Sequence, residues 1–309
     1  LYQFVAKDVF VDQLWYNKYM RLLIGLLSIC ILSGAVTPPP KVYEPLKVSE
    51  DQFASVGQPV KIIVIDTGFD YSYMKQANLC PSGHRSFLEK TYPLADPDRQ
   101  EASVEYEPWN EDVVGHGTNI VGLIAKYARA NYCIIIYRYY SPTVKGDKAS
   151  TEAWKVAADS DADVIVYSGG GRFPVPEEQK AVKKALLKGK IIFAAAGNEG
   201  DNFNNGCHFY PACYYKRIVV AGNLKSDNTL QENSNYGDRV DFYANGVNAS
   251  AFGRVNTGTS QANAIVAGKL VAEIFKEKNV KGYRSPLLVS THPKARKLVG
   301  IHGKTNGRH

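Results

Sequence analysis

Five short apolar runs rich in β-branched residues, only the first of them interrupted (by Lys61), constrain this chain more than any other feature. They are Val60–Ile65, Cys133–Tyr137, Val164–Tyr167, Ile191–Ala195 and Ile218–Ala221. Runs of four to six residues without polar alternation read as strands buried on both faces. Helix-length patterns separate them. One begins near Thr118, a second covers Ser150–Ser160, and a third covers Pro176–Leu187 with Glu177 and Glu178 in its first turn. A last helix begins near Thr259 and carries Ile265, Val266, Leu270, Val271 and Ile274. Strand–helix alternation of this kind predicts an α/β fold, a three-layer α/β/α sandwich around a mainly parallel sheet. Sites in such sheets lie at the carboxyl ends of the strands.

Composition narrows the function classes. An apolar fraction of 45% over 309 residues excludes wholesale disorder and supplies a core for one large domain. The net charge of +7 suggests a nucleic-acid binder only until the charges are located. Residues 269–309 hold ten Lys and Arg against two acidic residues, so the basicity belongs to the C-terminal tail and the body is nearly neutral. No nucleic-acid partner is expected.

Upstream, Lys18 and Arg21 precede the apolar run Leu22–Ala35. Its length as a helix, about 21 Å, falls short of a hydrocarbon core of roughly 30 Å. A charged flank and small residues at Ser33 and Ala35 fit a secretory signal peptide rather than a stable membrane span. The expected organisation is an upstream segment at 1–19, a signal peptide at 20–35, a Pro-containing linker at 36–56, a catalytic domain at 57–280 and a basic tail at 281–309. In an oxidising compartment Cys80, Cys133, Cys207 and Cys213 form an even set, and a bridge between Cys207 and Cys213 is plausible; connectivity stays open.

Four segments at strand ends or helix starts carry chemistry-bearing side chains. Asp66 ends a buried strand in Ile-Val-Ile-Asp-Thr-Gly; His116 stands between glycines at the mouth of a helix. Asn198 follows another strand in Ala-Ala-Gly-Asn-Glu-Gly, and Ser260 opens the last helix in Thr-Gly-Thr-Ser-Gln-Ala. An acid, an imidazole, a hydroxyl and an extra amide donor are the parts that acyl transfer requires. A serine hydroxyl is a weak nucleophile until a neutral imidazole takes its proton. The imidazole needs a carboxylate to fix its tautomer, and the tetrahedral intermediate needs donors aimed at its oxyanion. The backbone N–H of Ser260 and the amide of Asn198 are suited to that task. Taken singly, Asp66 and Asn198 read as turn residues, His116 as a residue at a helix start and Ser260 as an N-cap. All four bland readings would have to hold together.

The segments Asp66-Thr-Gly68, His116-Gly-Thr118, Ala195-Ala-Gly-Asn198 and Gly258-Thr-Ser260-Gln-Ala262 resemble the signature motifs of subtilisin-like serine proteases, in that family's order. Tyr167-Ser-Gly-Gly170 is similar to the strand that pairs with substrate backbone and walls the first specificity pocket. Phe209-Tyr-Pro-Ala212 with Arg217–Gly222, and Asn233–Gly237 with Val240–Ala244, also match. The resemblance implies a subtilisin-like sandwich and a secreted serine endopeptidase acting on protein or peptide substrates, as a monomer. It implies Ser260 as nucleophile, His116 as general base and then acid, Asp66 as orienting carboxylate and Asn198 as oxyanion donor. Ser168, Gly169 and Gly170 would bind the substrate backbone. A catalytically silent, peptide-binding relative is the alternative. A nucleotide site has little support, because Ser168-Gly-Gly-Gly171 lacks a following Lys and Ser/Thr.

The chain departs from the family pattern at Asn119, where many members have a second His, and at Asn245 and Ala264, where Pro is usual. None carries a proton in the mechanism above, so these changes are set aside for chemistry. The chemistry requires no cofactor. Asp201-Asn-Phe-Asn-Asn205 offers oxygen ligands for a structural calcium, which family members often bind, but has no EF-hand spacing and reads as a polar loop. Glu199 reads as a solvated turn carboxylate. With an unshifted His116, activity would rise with pH around about 6.5–7.

Overall fold

The computed structural model describes residues 57–91, 104–106, 108–142 and 147–279. The expected upstream segment, signal peptide, linker and basic tail (1–19, 20–35, 36–56 and 281–309) lie wholly outside them.

The sheet strands are β1 (Val60–Asp66), β2 (Arg85–Ser86), β5 (Tyr132–Arg138), β6 (Val164–Tyr167), β7 (Ile191–Ala195), β8 (Val219–Leu224) and β9 (Phe242–Asn245). Two short ribbons are set apart: β3 (Glu89–Thr91) with β4 (Val104–Tyr106), and β10 (Ala249–Ala251) with β11 (Arg254–Asn256). The helices are α1 (His116–Tyr127), α2 (Asp147–Asp159), α3 (Pro176–Leu187) and α4 (Thr259–Asn279). The seven sheet strands run in the order β2-β5-β1-β6-β7-β8-β9, with every described pairing parallel.

Both faces of the sheet are dry, which explains the apolar runs. Residues alternate by the two-residue period of a strand. Ile62, Val64, Ile134, Ile136, Val166 and Phe193 face a layer that includes Ile120 and Ile124 of α1 with Val266 and Leu270 of α4. Ile63, Ile65, Ile135, Ile165 and Ile192 face the opposite layer, with Trp154 and Ala157 of α2 and Val182 and Leu186 of α3. These are the two helical layers of the sandwich.

Topology then selects the site. From β1 the chain moves to β5 on one side, whereas from β6 it moves to β7 on the other. The strand order therefore reverses between β1 and β6, where Ile62–Ile65 pair with Val164–Tyr167. A crevice opens beyond the carboxyl ends of strands at such a reversal. Asp66 ends β1 there, and Ser168 follows β6.

Two disulfides join Cys80 to Cys133 and Cys207 to Cys213. The first ties the start of β5 to the segment whose Leu79 bridges Ile134. Among the described residues no helix is long and apolar enough to cross a membrane.

Candidate active site

Asp66 is 2% exposed at the end of β1. Its Oδ1 accepts the Thr67 N–H at 2.8 Å and lies 2.7 Å from His116 Nδ1. A carboxylate can only accept, so the imidazole carries its proton on Nδ1 and presents Nε2 as a base. Burial lowers the affinity of His116 for a second proton; the Asp66 charge and hydrogen bond, helped by Asp112, outweigh it, and the net shift is upward. The midpoint expected for an unshifted imidazole therefore moves above the ordinary value of 6.5.

His116 opens α1 two residues earlier than the apolar pattern suggests, and the cause is Asp112. Gly115 is the N-cap, in the left-handed region at φ 77°, and offers no side-chain cap. Asp112 substitutes for it from three residues upstream. Its Oδ1 accepts from Gly115 N–H and Thr67 Oγ1, both at 2.8 Å, and its Oδ2 from Thr118 N–H and Oγ1, both at 2.7 Å. Thr67 Oγ1 in turn accepts the Gly117 N–H at 2.8 Å. Asp112 thus clamps the residue after Asp66 to the first turn that carries His116. Sequence reading missed it; an acid four residues before a Gly-flanked His at a helix start was the available signal.

Ser260 lies in the first turn of α4 and is 8% exposed. Its backbone N–H belongs to the turn whose amides have no partner within the helix. Its hydroxyl donates to the Ser168 carbonyl at 2.8 Å, and Ser168 Oγ donates back to the Ser260 carbonyl at 3.2 Å. No hydrogen bond joins Ser260 to His116 among the described residues. The structure therefore brings Asp66 to His116 and Ser260 to Ser168. Hydrogen bonds between nucleophile and base commonly tighten only when substrate is bound.

Asn198 is exposed on the loop after β7, and its Oδ1 accepts the Thr259 N–H at 2.9 Å. Because the amide is planar, this bond directs Nδ2 away from the helix backbone, available to an incoming acceptor. The residues of the substrate-binding expectation follow β6: Ser168 and Gly169 are buried and Gly170 is exposed. A side chain on Gly169 would strike the Tyr139 hydroxyl and the Tyr167 ring.

Asn119 is more than a neutral departure from the pattern. Fully buried, it donates from Nδ2 to the carbonyls of Ala249 and Arg254 at 3.0 Å, and its Oδ1 accepts from Gln261 Nε2 at 3.1 Å. It ties the turn bearing His116 to the residue after Ser260. Glu199 requires a correction. Rather than a solvated turn residue, it is half-buried, with Oε2 accepting from Asn235 Nδ2 at 2.6 Å. Burial raises its pKa, with the Asn235 bond opposing. The oxygen-rich loop after it is engaged internally: Asp201 pairs with Arg172 at 2.9 Å, Asn202 caps a short turn, and Asn204 Oδ1 accepts the Asp238 N–H. Among the described residues no three His, Cys, Asp or Glu are grouped to hold a metal ion.

A buried carboxylate on an imidazole and a helix-start serine beside an amide donor, at the strand-order reversal of a parallel sheet, define the machinery class of a serine hydrolase. The chain belongs to the subtilase family, which matches residues 57–284. It is 29% identical over 235 residues to the major intracellular serine protease of Bacillus subtilis (strain 168), covering 69% of this chain and 68% of that protein. An intracellular serine protease of Paenibacillus polymyxa is 30% identical over 230 residues, covering 69% and 66%. The fold is similar to that of a cold-adapted subtilisin-like serine proteinase, with a TM-score of 0.58, 24% identity and coverage of 77% and 82%. Family and fold make the chain a subtilisin-like serine peptidase by class.

Proposed function

We propose that this chain is an endopeptidase that hydrolyses peptide bonds through an acyl-enzyme on Ser260. His116 Nε2 takes the hydroxyl proton as Oγ attacks the scissile carbonyl carbon. The resulting oxyanion is held by Ser260 N–H and Asn198 Nδ2, and the imidazolium by Asp66. Collapse breaks the C–N bond, and the proton on Nε2 passes to the departing amine. Water then repeats the sequence, losing a proton to His116 and releasing the acid with free Ser260. Substrate lies extended along Ser168–Gly170, and the enzyme acts as a monomer.

The observation that carries this reading is the 2.7 Å contact between Asp66 Oδ1 and His116 Nδ1, which orients Nε2 as a base. A silent peptide-binding domain has no need of that pairing. The test is hydrolysis of a casein-derived peptide mixture by the wild type, Ser260→Ala and His116→Ala, with folding followed by circular dichroism. Cleavage by the wild type alone, with all three folded, is expected. Equal cleavage by Ser260→Ala would overturn the assignment.

We also place the enzyme outside the cytoplasm, on the strength of two disulfides, which persist in oxidising compartments. The relatives named intracellular make the opposite outcome a real one. Alkylating the protein at the moment of isolation should find no free thiol at these four cysteines; free thiols at all four would reverse the placement.

A further inference from the structure

Where the residue before the scissile bond must put its side chain follows from the reading above, on which this inference rests. With the carbonyl carbon on Ser260 Oγ and its oxygen toward Asn198, the substrate backbone runs along Ser168–Gly170. The side chain then enters the gap between that strand and the loop Ala196–Asn198. Both walls are lined by glycine, at Gly170 and Gly197, which would ordinarily leave a deep slot.

That slot is occupied. A Cβ built on Gly170 would meet Cε1 and Cζ of Phe209 at 2.5 and 2.7 Å and the Tyr210 carbonyl at 2.7 Å; one built on Gly197 would meet Asn235 Nδ2 and Glu199 Oε2 at 2.5 Å and Cδ2 of the same Phe209 ring at 2.8 Å. One phenyl ring therefore reaches from wall to wall. It is half-buried, packed on the core on one side and open on the other. The ring is also held in place. Its N–H donates to Cys213 Sγ at 3.3 Å, its carbonyl accepts the Cys213 N–H at 2.9 Å, and the Cys207–Cys213 bridge closes the loop around it. Next to it Tyr210 pairs in both directions with Gly171, at 2.8 and 3.0 Å, fixing the loop to the substrate strand.

We propose that Phe209 is the specificity-determining residue of this peptidase: it floors the pocket so that only a small side chain (Gly, Ala or Ser) is accepted before the cleaved bond. A ring that fills the slot leaves a larger side chain either overlapping it or exposed to water, and one or two methylenes in such a pocket change kcat/KM by about 10–200-fold.

The test uses a matched peptide series differing only at that residue, Ala, Leu, Phe or Lys, cleaved by the wild type, Phe209→Ala and Phe209→Gly. A small fluorophosphonate titrates active sites, so rates refer to folded enzyme. The wild type should cleave the Ala peptide at least about tenfold faster than the others. Phe209→Ala and Phe209→Gly should raise the ratio of kcat/KM for the Leu and Phe peptides to that for the Ala peptide by about tenfold or more. If the wild type cleaves the Leu, Phe or Lys peptide as fast as the Ala peptide, the proposal fails and the endopeptidase reading stands. The wild-type profile decides this even if both variants misfold. If the wild type cleaves no peptide and takes no label, both fall together.

Discussion

The two halves of the site are built to different tolerances. In the Asp66–His116 half, every polar partner is fixed: Asp66 Oδ1 holds Thr67 N–H and the imidazole, and Asp112 holds Thr67, Gly115 and Thr118 through four hydrogen bonds. In the Ser260–Asn198 half, the hydroxyl rests on a neutral carbonyl and the Asn198 amide lies exposed on a loop. The contrast follows the chemistry. In the proposed mechanism the base must keep its tautomer through the whole cycle, and Asp66 and Asp112, which hold its setting, are buried. The proposed nucleophile must change partners during the cycle, and a single hydrogen bond to a neutral carbonyl holds its hydroxyl. Asn119, bonded to Gln261, keeps the two halves in register without stiffening the second.

The largest effect should come from breaking the rigid half at its centre. Asp66→Asn leaves the shape intact but favours the wrong tautomer, and kcat should fall by about 10⁴-fold, the scale for this change in serine proteases generally. Steady-state kinetics at neutral pH measure it; a loss below tenfold would mean that His116 does not depend on Asp66.

The Ser260–Asn198 half is tested by Asn198→Leu, with an expected loss in kcat of about 10²–10³-fold and KM little changed. That scale is the one measured for the oxyanion asparagine in a subtilisin, a member of the same family. If melting temperature drops while kcat holds, Asn198 is only a cap for α4.

Asp112→Ala separates orientation from stability. Leaving two backbone amides and two hydroxyls without their shared acceptor should cost about 2–4 kcal/mol. Urea unfolding reads that cost, and kcat should fall with it because His116 loses its platform. A loss of stability with wild-type kcat in the folded fraction would show that the clamp does not position the imidazole.

The smallest effect concerns pH. In the proposed mechanism only neutral His116 accepts the serine proton, and its pKa is raised, so kcat/KM should rise with pH through a midpoint above 6.5. Removing the Asp66 charge leaves burial, which acts in the opposite direction, against only the smaller pull of Asp112, so the imidazole midpoint should move down in Asp66→Asn. Proton NMR of the imidazole checks both signs. An unchanged midpoint would contradict the Asp66 assignment.

Much of the sheet was legible because parallel strands buried on both faces leave apolar runs. β6 and β7 match their expected limits, and β1 and β5 extend theirs by one residue or more to include Asp66 and Arg138, since the register pairs these two polar residues at the strand ends. β8 begins at Val219 rather than Ile218 because the Ile218 N–H closes a turn onto Tyr215. The short strands β2, β3, β4, β10 and β11 carry too few residues for any period to register. At the site, Asp66, His116, Asn198 and Ser260 stood out because strand ends and helix starts are readable. Asp112, Asn119 and Phe209 did not. Their importance lies in partners 45 to 142 positions away, or in a ring filling the space beside distant glycines, and no local pattern encodes that.

The central claim is that Ser260 becomes nucleophilic only through His116. Labelling with a fluorophosphonate, followed by peptide mass mapping, tests it most directly. The account predicts a single adduct on Ser260 in the wild type and a labelling rate reduced by orders of magnitude in folded His116→Ala. Labelling of Ser260 at the same rate in that variant, or an adduct on another residue, would contradict it.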